Sequence, residues 1–100
     1  MKFGLTDEQI NFIHKTVLIP LQKKGAKIFF YGSRARGDYK KFSDLDIMIE
    51  ADQSLSKELG EIKNQLENSN FPYKVDLVEY KDFADSYKEG YLKDRVLITS

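Results

Sequence analysis

From Thr6 onward, Ile10, Ile13, Val17 and Leu21 recur at three- and four-residue steps. That spacing gathers them on one stripe of an amphipathic helix. Thr6 and Gln9 form a capping box at its start, Pro20 predicts a bend or an end close to its own position, and Gly25 closes the segment. Lys27 to Tyr31 is a short β-favouring run that Gly32 stops, a first strand. Leu45 to Glu50 alternates, with Leu45, Ile47 and Ile49 on one face and Asp46, Met48 and Glu50 on the other, which predicts a half-buried second strand. Leu55, Leu59, Ile62 and Leu66 return to helical spacing until Asn68-Ser69-Asn70 and Pro72 end the run. Lys74 to Tyr80 predicts a third strand. Asp82 is placed to cap a last helix carrying Phe83, Tyr87 and Tyr91, and Arg95 to Thr99 is apolar enough to pair at a sheet edge. The order α-β-loop-β-α-β-α-β predicts an α/β (α+β) fold with one sheet covered by helices.

Composition narrows the chemistry. At 100 residues, without repeats or low-complexity segments, the expectation is a single domain over residues 1–100. The absence of cysteine excludes a disulfide framework, a thiolate zinc site and a cysteine nucleophile. No apolar run approaches the roughly 20 residues needed to span a bilayer. Met1-Lys2-Phe3-Gly4 also lacks the apolar stretch of a signal peptide, so a soluble cytoplasmic protein is expected. Lys and Arg total 16 and so do Asp and Glu, which removes the net field that concentrates nucleic acid; direct nucleic-acid binding is not expected. Seven Phe and six Tyr supply an aromatic core and leave room for a partner surface or a homo-oligomer.

The chemistry-bearing segment is Gly32-Ser33-Arg34-Ala35-Arg36-Gly37 followed by Ser43-Asp44-Leu45-Asp46. Gly32 lets the backbone turn sharply where a phosphate must come close, and the Ser33 hydroxyl with its neighbouring N–H groups can donate to phosphate oxygens. Arg34 and Arg36 would add positive charge to that cradle. Residues two apart on a strand project from one face about 6.6 Å apart along it, so Asp44 and Asp46 aim at the same volume. At about 4 Å and an effective dielectric near 20 their repulsion is on the order of 4 kcal/mol, a reason to expect cations between them. Asp76 interrupts the apolar run Val75-Asp76-Leu77-Val78. If Leu77 faces the helices as Leu45 and Ile47 do, Asp76 joins Asp44 and Asp46 on the opposite side.

This arrangement resembles the minimal nucleotidyltransferases of the DNA polymerase β-like superfamily, in which a Gly-Ser turn precedes a paired-carboxylate strand and a later strand carries a third carboxylate. Gly32-Ser33, Asp44, Asp46 and Asp76 fall on those positions, and the Gly-Ser-Arg-Ala-Arg-Gly wording is similar to the subgroup that serves as antitoxin beside HEPN-domain toxins. The resemblance implies a polymerase β-like palm with a mixed sheet of about four strands. It implies two Mg²⁺ ions held by Asp44, Asp46 and Asp76, ATP as the nucleotide, and transfer of AMP to a tyrosine of a HEPN toxin. The loop Asp38-Tyr39-Lys40-Lys41-Phe42 is bulkier and more charged than the small-residue run common in the family. Two other readings stand beside this one: an antitoxin that occludes its toxin without catalysis, and nucleotidylation of a small molecule. Taken singly, the residues have plainer uses. Ser43-Asp44 could be a turn, Arg34 and Arg36 solvated loop cations, His14 a wet helix position, and Tyr39 and Phe42 packed loop residues.

Overall fold

The computed structural model describes residues 2–99. The first helix opens as its capping box requires. The Thr6 hydroxyl accepts the Gln9 N–H at 3.1 Å, and the Gln9 side chain accepts the Thr6 N–H at 2.9 Å. Helix α1 (Asp7–Ile13) passes into a π-helical segment (His14–Leu18) and then α2 (Ile19–Gln22). Pro20 has no N–H to donate and its ring crowds the carbonyl four residues back. The widened turn just ahead of it, with the Ile19 N–H reaching the His14 carbonyl, absorbs that crowding, so the helix runs through Pro20 instead of ending there. Its end is a Schellman motif. Gly25 takes a left-handed φ of 85°, the Gly25 N–H bonds the Gln22 carbonyl at 3.0 Å, and the Ala26 N–H bonds the Leu21 carbonyl at 3.2 Å.

Four strands, β1 (Lys27–Tyr31), β2 (Leu45–Glu50), β3 (Val75–Glu79) and β4 (Val96–Ile98), form one mixed sheet in the order β3-β2-β1-β4. β1 pairs antiparallel with both β2 and β4, while β2 and β3 run parallel. A parallel pair needs a crossover, which helix α4 (Ser56–Glu67) supplies. A short helix, α3 (Gly32–Arg36), follows β1 directly.

One sheet face is the main core. Ile28, Phe30, Leu45, Ile47, Ile49 and Leu77 meet Ile13, Val17, Leu18 and Leu21 from the first helical segment and Leu59 and Ile62 from α4. The other face is smaller and aromatic, built on Phe29, Met48 and Tyr91. Met48 is therefore fully buried, where strict alternation had placed it on the open side of a half-buried strand. The reason is helix α5 (Asp85–Asp94), whose Tyr91 packs on that face. Asp82 does not cap this helix. It sits in the 3₁₀ turn Tyr80–Asp82, Phe83 and Ala84 are extended, and Ala84 is the N-cap without a side-chain bond. Asp85 instead faces the helix start and pairs with Lys88 at 2.8 Å. Among the described residues no helix is long and apolar enough to cross a membrane.

Candidate active site

The strand register sets out the site. Tyr31 pairs with Asp46 across β1 and β2, and Asp46 pairs with Asp76 across β2 and β3. Paired residues on adjacent strands project to the same face, so Tyr31, Asp46 and Asp76 form a row across the sheet. α5 covers the same face at Phe29 and Met48, and its Tyr91 also meets the Tyr31 ring at 5.3 Å, so the cover stops at the Tyr31 end of the row. Asp44 lies just before β2 and is exposed, as is Asp76 on the edge strand; Asp46 between them is half-buried.

Gly32 fixes how close the turn comes to this row. Its φ of 76° is left-handed, and a Cβ built on it would collide with the Asp46 carboxylate. A side chain there would displace Asp46, so glycine is required on both counts. The half-buried Tyr31 and Ser33 flank it on the strand end and the first turn of α3.

Asp76 and Asp44 both act on the Asp46 carboxyl through space. The Asp46 carboxyl is raised from the ordinary 3.8 to about 6, by burial first and then by Asp76 and Asp44, with Arg36 and Lys74 opposing. Tyr31 is raised from 10.0 to about 12, by burial first and then by Asp46 and Asp76, so its phenol keeps its proton at neutral pH. Among the described residues none of the three aspartate side chains has a hydrogen-bond or ion-pair partner. Nor do three acidic or imidazole groups close by themselves into a metal cage. The donor set nonetheless suits a hard divalent cation. It consists of carboxylate oxygens alone, repelling one another at an open sheet edge, and Mg²⁺ usually completes its shell with water and substrate phosphate instead of an all-protein cage.

The two arginines separate. Arg34, expected to cradle phosphate, is only 2% exposed and turned into the protein. Its Nε donates to the Ser43 carbonyl at 3.0 Å, and its Nη1 donates to the Phe3 and Gly4 carbonyls at 3.0 and 3.4 Å. The guanidinium lies over the Tyr73 ring at 4.1 Å and the Tyr39 ring at 5.4 Å. Its planar fork thus ties the chain start to the residue before Asp44, and Arg34, buried and engaged by these carbonyls, does not form the expected phosphate cradle. Arg36 is exposed and pairs with Asp94 at 3.1 Å and Asp38 at 3.3 Å, while still acting on Asp46 through space. Tyr31, which the register places beside Asp46, lies outside the motifs that the sequence singles out. Its signal was the alternation of β1, which turns Tyr31 outward once Phe30 points into the core.

Residues 14–98 match the nucleotidyltransferase domain family. Over 72 residues the chain is 31% identical to the probable protein adenylyltransferase MntA of Haemophilus influenzae, covering 71% of this chain and 63% of that protein. The match therefore spans less than two thirds of that relative's length. A chain assigned as a minimal nucleotidyltransferase is similar in fold, with a TM-score of 0.69 at 24% identity over 98% of this chain and 97% of that one. A toxin-antitoxin crystal structure with AMP-PNP gives a TM-score of 0.61 at 21% identity, over 80% of this chain and 68% of that one.

Proposed function

Since the chain belongs to the nucleotidyltransferase domain family, we propose that it transfers AMP from ATP to a hydroxyl of a protein partner. We further propose that it acts as the antitoxin of a toxin-antitoxin pair, the acceptor being a tyrosine of a HEPN-domain toxin. The observation that carries the reading is Asp46 opposite Asp76, with Asp44 two residues upstream and Gly32 making room for the Asp46 carboxylate. A protein acceptor accords with the name of the Haemophilus relative, and ATP with the AMP-PNP of the structural neighbour.

Asp44 and Asp46 would hold one Mg²⁺ and all three aspartates a second; bound there, the ions neutralise triphosphate charge and lower the pKa of the acceptor hydroxyl. The acceptor oxygen attacks the α-phosphorus, the bond from that phosphorus to the bridging oxygen breaks, and pyrophosphate leaves with the electron pair. Asp76, exposed on the edge strand, takes the proton from the acceptor hydroxyl. Gly32 lets the triphosphate approach the backbone, and the Ser33 hydroxyl donates to it. Tyr31, protonated at neutral pH, keeps a neutral donor beside the row. Catalysis is then mostly positioning and charge stabilisation.

The test uses ATP labelled at either the α- or the γ-phosphate, with Mg²⁺ and the HEPN-domain partner. Only the α label should appear on the partner. Asp44→Asn/Asp46→Asn should reduce transfer by a factor on the order of 10² or more. If that double variant still silences the toxin and no label moves with the wild type, the chain neutralises its partner by covering it and the enzymatic reading fails.

A further inference from the structure

A second concavity opens beside the carboxylate row. Tyr31, Gly32 and Arg36 on one side and Phe83, Tyr87 and Gly90 on the other line a cleft of about 280 Å³. It shares Tyr31 and Gly32 with the site above, so a group seated in it is continuous with whatever lies against Asp46. Its size is at the lower limit for ligand pockets, suited to one ring system.

The walls are aromatic. Phe83 meets Tyr31 at 5.8 Å and Tyr87 at 5.9 Å between ring centroids. Tyr87 nevertheless stays 65% exposed, a large ring left standing at the mouth. Gly90 is the second observation. It lies inside α5, where glycine is among the weakest helix formers, and a Cβ on it would meet no atom within 4 Å. Packing does not demand glycine there, and Gly90 lines the cleft without a side chain to occupy it. On the rim the exposed Arg36 is paired with Asp94, a cationic plane able to stack on a ring.

We propose that this cleft is the subsite for the nucleotide base, a flat heteroaromatic ring stacked on Phe83 and Tyr87, with its sugar passing Gly32 toward the phosphates. The proposal rests on the nucleotidyltransferase reading and adds to it the place of the base. Stacking on aromatic side chains is the generic way to hold a base, since every base has a π-face.

Binding of ATP and of inorganic tripolyphosphate, each with Mg²⁺, would be measured on the full chain by calorimetry. Two variants are compared, Gly90→Leu, which fills the cleft, and Tyr87→Ala, which removes a wall. Both should weaken ATP about tenfold and leave tripolyphosphate unchanged. Gly90→Leu should melt no lower than the wild type, because leucine is the better helix former and has open space. Equal affinity of the wild type for ATP and tripolyphosphate, or unchanged ATP affinity in Gly90→Leu, would place the base elsewhere while the enzyme reading stands. If Gly90→Leu abolished labelling of the partner without weakening ATP, the cleft would hold the acceptor's ring and the base assignment would be wrong. If neither phosphate compound bound the wild type, the underlying reading would fail with it.

Discussion

Two demands meet at Gly32: a left-handed φ of 76° and the Asp46 carboxylate where a Cβ would stand. Gly32→Ala should lower stability by about 1–2 kcal/mol from the backbone term alone. It should reduce transfer far more than that implies, because the displaced group is a proposed metal ligand; urea melts and label transfer on one sample separate the two effects. Arg34 makes the opposite case. Arg34→Lys keeps the charge but loses the forked donors to Ser43, Phe3 and Gly4, so we expect a loss of roughly 1.5–3 kcal/mol, read as a shifted urea midpoint. Arg36→Gln, at an exposed ion pair, should move stability by less than about 1 kcal/mol. An unchanged midpoint in Arg34→Lys with a raised KM for ATP would return Arg34 to the phosphate cradle. The sequence shows two arginines two positions apart and cannot rank them. On a helix that spacing is about 200°, so one faces in and the other out. Which is buried depends on Phe3, Gly4 and Tyr73, partners some thirty to forty residues away in the chain.

Helix α5 decides how much of the second sheet face is lost to packing and how much remains for chemistry. Tyr91 is 2% exposed, packs on Phe29 and donates its hydroxyl to Glu50 Oε2 at 2.6 Å, where Arg95 Nη1 also donates at 3.1 Å. Tyr91→Phe keeps the ring and removes a charge-assisted bond, so it should lower stability by about 1.5 kcal/mol, whereas Tyr91→Ala should lower it by about 3 kcal/mol or more. Chemical denaturation of the two variants checks the ranking, and equal losses would mean that the hydroxyl carries the contact. This packing also explains what patterning could reach. The Leu45–Glu50 strand and the face of Asp46 follow from alternation alone, as do the apolar stripes of the first helical segment and of α4, because those signals are local. The burial of Met48 does not, since its cover comes from Tyr91, far along the chain. Nor does the π segment before Pro20: proline signals a lost bond, but only the packed Val17, Leu18 and Leu21 make the helix continue past it.

The fold as a whole concentrates negative charge on one sheet end while its formal net charge is 0, so the response to pH has a local origin. Asp46 titrates near 6 when folded and near 3.8 otherwise, with burial the main cause and Asp76 and Asp44 next. Between those values the folded state binds the proton more tightly. Its contribution to stability is fully present below about pH 4 and is lost as pH rises through about 6. Metal-free protein should therefore lose thermal stability across that window, and Asp46→Asn, which carries no charge, should flatten the curve there and melt higher than wild type at pH 7. Mg²⁺ with ATP should reverse the order. Binding requires the deprotonated carboxylates and stabilises only the folded state, by about 2.7 kcal/mol at a ligand concentration 100 times Kd. Wild type should then gain stability as pH rises through 6 and overtake Asp46→Asn at pH 7. A wild type that melts identically with and without Mg²⁺ and ATP at pH 7 would mean that the repulsion among Asp44, Asp46 and Asp76 serves no bound cation. Asp46→Asn melting no higher than wild type in the metal-free state would mean that neither the burial of the Asp46 charge nor its carboxylate neighbours strain the fold.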